Sequence, residues 1–235
     1  MIDFVTLLRC LKTAYPNAKC ALDYSTDFQL LVAVVLSAQC TDKRVNLVTP
    51  NLFKIAPTAK IMAVLSQKKL EELIFSCGFY RAKAKNLIDL SVQLVDKYGG
   101  TVPSDFDSLV GLKGVGRKTA LVIMAELFNF DVAAVDTHVF RTARRIGLSK
   151  SKTEIGVEKD LKKLIENYKN GDNLVKNALK TLAQKNKDGF VANTNLAQLL
   201  IFLGRNHCKA KNPLCFECCL KNMCLFFNKS VKFNN

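Results

Sequence analysis

Three groups of residues in this chain have types and spacings suited to chemistry. The first is LKGVGRKTA, residues 112–120, where two glycines and two cations precede the apolar run Leu121–Ala125. Joining two short helical patterns, the stretch predicts a tight hairpin in which Gly114 and Gly116 supply positive φ and close backbone approach. Backbone N–H groups turned outward beside a helix N-terminus make an anion site, well matched to a phosphate. Such an anion makes Arg117 and Lys118 tolerable at a helix end whose dipole otherwise disfavours cations. Lys118 itself has two readings. It neutralises phosphate, as most basic residues near nucleic acid do, or the dipole and Arg117 favour its free amine and make it a nucleophile able to form a Schiff base.

The second group is AVDTHVFR, residues 134–141, with Asp136 placed at the start of a helix. A carboxylate there is an ordinary N-cap. Its chemical alternative is to take a proton from a nucleophile or to stabilise a cationic sugar. The third group is Cys208, Cys215, Cys218 and Cys224, spaced C-x6-C-x2-C-x5-C. Four thiolates so close in sequence can enclose one centre, either zinc or an iron–sulfur cluster. Cys219 is a fifth thiol beside them with no assigned role. Cys10, Cys20, Cys40 and Cys77 fall among helical apolar positions, where a thiol behaves as a small hydrophobe.

Charge narrows the partners. The chain carries 35 Lys and Arg against 20 Asp and Glu, a net charge of +15, and such a field attracts polyanions, nucleic acid first. The longest apolar run, Leu30–Leu36, is far shorter than the roughly 18–20 residues of a membrane span. The N-terminal stretch carries Asp3 where a signal peptide has basic residues. A cytoplasmic protein is expected, and crowded cysteines there point to metal before disulfides.

The elements that must position these groups read as helices throughout. Ile2, Val5, Leu8 and Leu11 recur at helical spacing. STDFQLLVAVVLSAQCTD opens on the capping residues Ser25, Thr26 and Asp27 and is apolar almost all round, predicting a buried helix. Ser66 starts a helix that runs to Gly78. The next has Ala82, Leu87, Leu90, Leu94 and Val95 inward and stops at Gly99–Gly100. A short helix capped by Ser104 leads into the hairpin, and KTALVIMAELF follows it. Residues 169–195 are the least patterned, with one weak helix at Leu174–Leu182, and read as a surface excursion.

LKGVGRKTA followed by AVDTHVFR resembles the helix–hairpin–helix DNA glycosylases, and specifically the endonuclease III family. LLVAVVLSAQCTD and CGFYRAKAKNL also match, and the resemblance runs from Phe28 to Cys224 apart from residues 170–195. It implies an all-α fold of two helical lobes with a DNA-binding cleft between them. One lobe is residues 22–132, with the helix–hairpin–helix; the other joins residues 1–21 to 133–235 and its cluster loop at 208–224. It implies a base-excision-repair glycosylase with AP lyase activity, removing oxidised pyrimidines with Lys118 as nucleophile and Asp136 as essential carboxylate. Gln39 matches the residue that fills the space left by a flipped nucleotide, and Phe79 the apolar wedge beside it. Gly114, Gly116, Arg117 and Thr119 are then DNA-binding, and the four cysteines hold a [4Fe-4S] cluster. The expected partner is double-stranded DNA with damaged bases or abasic sites, bound by a monomer.

Three departures are visible: Lys113 stands where the hairpin often has proline, the excursion at residues 170–195 is longer than the family's, and no aromatic precedes Cys208 in LGRNHC. The resemblance leaves two rivals. An adenine-type monofunctional glycosylase lacks the hairpin lysine, so Lys118 argues against it. A non-catalytic DNA-binding module with a zinc-stabilised tail leaves Lys118 and Asp136 without a task.

Overall fold

The computed structural model describes residues 3–128, 134–169 and 192–232, and among them every regular element is helical. The chain divides into two compact units, Ala21–Phe128 and Met1–Cys20 with Asn129–Asn235.

In the first unit the most apolar helix, α2 (Asp27–Ser37), is the centre. Its N-cap is Thr26, whose hydroxyl accepts the Gln29 N–H at 3.2 Å, and every residue from Leu30 to Leu36 is buried. A helix apolar on all sides needs neighbours on all sides. They are α3 (Asp42–Ile55), α6 (Tyr80–Tyr98) and α8 (Arg117–Phe128), while α4 (Ala59–Ala63) and α5 (Gln67–Ile74) pack against α6. Burying each of these leucines and valines contributes about 1.5–3 kcal/mol. The short α7 (Phe106–Val110) pairs with α8 across the hairpin.

Local details differ from the sequence reading. On α6, Ala82 is exposed and Val95 half-buried, while Lys83, Ala84 and Ser91 are buried instead. Two of these positions are polar because each finds an acceptor: Lys83 Nζ donates to the Leu36 carbonyl at 2.8 Å and Ser91 Oγ to the Leu87 carbonyl at 2.6 Å. Helix α5 stops at Ile74, four residues before Gly78, because Cys77 N turns back to the Ile74 carbonyl. The cap of α7 is Asp105, not Ser104, with its carboxylate accepting from Ser108 N at 2.8 Å.

In the second unit, α1 (Phe4–Ala14) buries Phe4, Leu7, Leu8 and Leu11. Val5, expected inward, is half-buried, and Ile2 lies outside the described residues. The core partner is α11 (Ala192–Asn206), which packs against α1, α9 (Thr137–Ile146) and α10 (Glu154–Lys169) through Leu196, Leu199, Leu200 and Leu203. After the cysteine loop, α12 (Leu225–Lys232) packs on α9. The helix expected at Leu174–Leu182 lies outside the described residues.

Candidate functional site

The hairpin between α7 and α8 is fixed from α6. Gln93 Nε2 donates to the Gly111 carbonyl at 3.2 Å, and its Oε1 accepts the Lys113 N–H at 2.7 Å. Lys113 therefore uses an N–H that proline lacks, and the substitution that stood out in the sequence is matched by a partner. The two glycines have different reasons. Gly114 adopts φ +76°, and a Cβ there would lie 3.0 Å from Asn86 Cβ, so both conformation and space require glycine. Gly116 does not have positive φ, and a Cβ would meet nothing within 4 Å. The expectation that both glycines serve a left-handed turn is corrected: among the described residues nothing requires glycine at 116.

Lys118 is exposed on the first turn of α8. Arg117 beside it is exposed as a residue, yet its guanidinium sits 5.2 Å from the centre of the Phe106 ring, a cation–π contact that ties α8 to α7. Thr119 is half-buried on the same turn.

Gln39 and Phe79 sit on neighbouring turns of the same unit. Both have left-handed backbone, φ +54° and +57°, which is uncommon for residues with a Cβ. Phe79 is 68% exposed, an aromatic ring set outside the core. The turns touch at Gly78, where a Cβ would stand 3.1 Å from the Gln39 carbonyl oxygen. Strained backbone beneath an exposed apolar side chain marks a functional position more often than a packing one.

Asp136 belongs to the other unit. It is the N-cap of α9, half-buried, and its Oδ1 accepts the Val139 N–H at 2.7 Å. That geometry occupies one carboxylate oxygen.

Cys208, Cys215, Cys218 and Cys224 line one cavity of roughly 360 Å³, counting its open mouth, with Ile146, Leu203 and Leu220 among its apolar walls. Burial pushes the Cys215 and Cys224 thiols up, and the nearby Cys208 and Cys218 add to the effect. Cys218 goes the other way, to about 6, because the Cys219 S–H donates to it. Sulfurs that repel one another's charge around an apolar space are suited to a positively charged guest. Among the described residues, no three His, Cys, Asp or Glu side chains are grouped to hold a single metal ion.

The clasp on this loop was missed in the sequence. Arg145 on α9 donates to the carbonyls of Lys209 at 2.7 Å and Ala210 at 3.2 Å, reaches Cys208 Sγ at 3.5 Å, and lies over the Phe226 ring at 4.7 Å. Arg141, one turn earlier, donates to the carbonyls of Cys208 and Gly204, both at 2.9 Å. The signal was present as Arg141, Arg144 and Arg145 at i, i+3 and i+4 on one strongly amphipathic helix. Tyr15 is tied to the same region, its hydroxyl 2.7 Å from His207 Nδ1.

A helical hairpin ahead of an exposed lysine, a helix-capping aspartate and a four-cysteine loop define a class, and comparison with known proteins identifies it. The profile of the HhH-GPD superfamily of base excision DNA repair proteins matches residues 32–167. The chain is 42% identical to endonuclease III of Synechocystis sp. over 219 residues, 93% of this chain and 90% of that protein. It is 40% identical to endonuclease III of Bacillus subtilis, over 89% of this chain and 86% of that one. Among solved structures, a non-covalent endonuclease III–DNA complex is similar with a TM-score of 0.80 and 37% identity, covering 99% of this chain and 100% of that one. A trapped endonuclease III–DNA covalent intermediate gives 0.79 and 37%, over 98% and 100%. The chain belongs to the endonuclease III family of base excision DNA repair enzymes. No helix among the described residues is long and apolar enough to cross a membrane.

Proposed function

We propose that this chain is a DNA glycosylase with AP lyase activity that removes oxidised pyrimidines from duplex DNA. The observation that carries the proposal is Lys118, an exposed amine on the first turn of α8, immediately after the glycine hairpin. Within its own unit no described side chain pairs with it, so the amine is available to a substrate. Lys118 Nζ attacks C1′ of the extruded nucleotide, the bond from C1′ to the base breaks, and the base leaves with the electron pair. Asp136 accepts a proton released from the amine or steadies positive charge on the sugar. The sugar ring then opens: the C1′–O4′ bond breaks, O4′ takes up a proton and Nζ gives one up, leaving a C1′=Nζ imine that acidifies C2′; loss of the C2′ proton expels the 3′ phosphate and breaks the strand by β-elimination. Gln39 fills the space vacated in the stack, Phe79 wedges the adjoining base step, and Gly114, Gly116, Arg117 and Thr119 engage the DNA backbone. Borohydride trapping on an oligonucleotide with one oxidised pyrimidine tests lesion, nucleophile and mechanism together.

The contrast between the glycines gives a test of the phosphate contact. Gly114→Val is expected to lose roughly 1–3 kcal/mol of stability from strain and from the clash with Asn86. Gly116→Val is expected to melt within a degree or two of the parent, because its side chain meets open space, yet to bind damaged and undamaged duplex more weakly by about tenfold. Thermal unfolding and fluorescence anisotropy separate the two. Parent-like duplex binding by Gly116→Val removes the close backbone approach from the proposal.

The cysteine loop fits a [4Fe-4S] cluster. One cavity with apolar walls is lined by all four cysteines, the donor set that such a cluster takes. Cys208, Cys215, Cys218 and Cys224 would hold the cluster, whose contribution is to order the loop that Arg145 clasps. Serine at any of these four positions is expected to abolish stable incorporation of iron and sulfide, read by metal analysis and visible absorption. Cys219→Ser retains it. A loaded protein with four irons after serine replacement at one of the four would break the ligand assignment.

A further inference from the structure

We propose that Cys40 and Cys77 form a reversible disulfide that ties together the turns presenting Gln39 and Phe79, making lesion engagement sensitive to thiol–disulfide exchange. The effect on engagement rests on the functional reading of Gln39 and Phe79 above; the disulfide itself does not.

The two cysteines come from distant parts of the sequence but occupy equivalent places. Cys40 directly follows Gln39 and Cys77 directly precedes Gly78 and Phe79. Each closes a tight turn at the end of a helix, with Cys40 N donating to the Ser37 carbonyl at 3.0 Å and Cys77 N to the Ile74 carbonyl at 2.8 Å. Cys40 lies near enough to Cys77 to act on its thiol electrostatically. The turns already touch, since Gly78 packs on the Gln39 carbonyl.

The pair is asymmetric in the way exchange chemistry requires. Cys40 is half-buried and reachable from solvent, whereas Cys77 is 1% exposed behind it. The buried ammonium of Lys83 acts electrostatically on both sulfurs while anchored on the Leu36 carbonyl, and Arg44 adds a second positive charge near Cys77. Burial pushes the Cys77 thiol up, which leaves Cys40 as attacker and Cys77 as the group that resolves.

The co-reactant is a small-molecule disulfide. Cys40 thiolate attacks one of its sulfurs, the S–S bond breaks, and one thiolate leaves. Cys77 then attacks the Cys40 sulfur and expels the second thiolate, which takes up the Cys77 proton. Two protein thiols are oxidised and one disulfide is reduced to two thiols. The new bond, about 2.05 Å long, draws the turns together against the tight approach of Gly78 to Gln39. Gln39 and Phe79 shift from their left-handed positions as a result.

The test uses the full chain with its cluster, monitored by visible absorption, and glutathione disulfide as the probe. After N-ethylmaleimide quenching, non-reducing peptide mapping is expected to find a Cys40–Cys77 cross-link that Cys40→Ala and Cys77→Ala lack. Excision of an oxidised pyrimidine falls about tenfold, recovers with dithiothreitol, and in both variants does not respond to the probe. Because Cys40 is partly exposed, Cys40→Ala keeps the comparison intact if Cys77→Ala folds poorly. Glutathione retained on Cys40 without the cross-link, or both thiols alkylated throughout, overturns the disulfide. A cross-link with unchanged excision overturns the coupling to lesion engagement. A reduced protein that excises no oxidised pyrimidine overturns the proposed function instead, and the peptide map alone then decides the disulfide.

Discussion

Lys118→Gln is expected to keep most of the parent's affinity for damaged duplex while borohydride trapping and strand cleavage fall by about a thousandfold or more. The fold is not at stake. The side chain is exposed on the first turn of α8, glutamine is as good a helix former as lysine, and surface exchanges of this kind change stability by within about 0.5 kcal/mol. Nor is the electrostatic attraction, since one of 35 basic side chains is removed and the salt dependence of binding declines by about one phosphate contact. What disappears is the only atom at this position able to form an imine. Lys118→Arg sharpens the distinction. It keeps the charge and the phosphate contact but presents a guanidinium that stays protonated and does not attack carbon. A phosphate-binding role predicts rescue by arginine, and a nucleophilic role predicts none. Trapping of Lys118→Gln at the parent rate would assign the chemistry to a different amine.

The parts of this site that were legible in the sequence are those governed by neighbours along the chain. Helical period located α2, α6 and α8, and side-chain caps such as Thr26 and Ser66 act within three residues, so both could be read directly. The same locality explains the error at α7. Ser104 and Asp105 are adjacent and both suited to capping, and the choice depended on which carboxylate or hydroxyl reached Ser108 N. Contacts between distant segments were not legible. Lys83 reads as a solvent-facing lysine until the Leu36 carbonyl, 47 positions away, accepts its ammonium. Gln93 reads as an ordinary helical surface residue until the hairpin backbone closes on it from Gly111 and Lys113. Phe79 shows the reverse: an aromatic at a helix start reads as core, and only the left-handed turn after Gly78 turns it outward. Family motifs reached Gln39 and Phe79 because a motif summarises such non-local geometry, which periodicity does not contain.

Asp136→Asn is expected to fold like the parent and to excise a damaged base more slowly by about 10²–10⁴-fold, the usual contribution of a positioned acid–base group. The structure makes this substitution unusually clean. Asp136 caps α9 through Oδ1 and the Val139 N–H, and asparagine presents a carbonyl oxygen in the same place and ranks with aspartate as a cap. Thermal unfolding of Asp136→Asn should therefore shift little, and a large loss of excision cannot be attributed to fraying of the helix. Asp136→Ala removes cap and carboxylate together, and is expected to cost about 1 kcal/mol of stability in addition. The two variants divide the residue's roles. If the cap is all that Asp136 supplies, Asp136→Asn excises like the parent and only Asp136→Ala is impaired, in proportion to its lost stability. If the carboxylate serves the reaction, both variants are equally slow despite their different melting temperatures. Binding to duplex carrying a non-excisable lesion should hold in both, because neither removes a cation or touches Gln39, Phe79 or the hairpin. Single-turnover excision measured beside thermal unfolding on this pair decides between cap and catalyst.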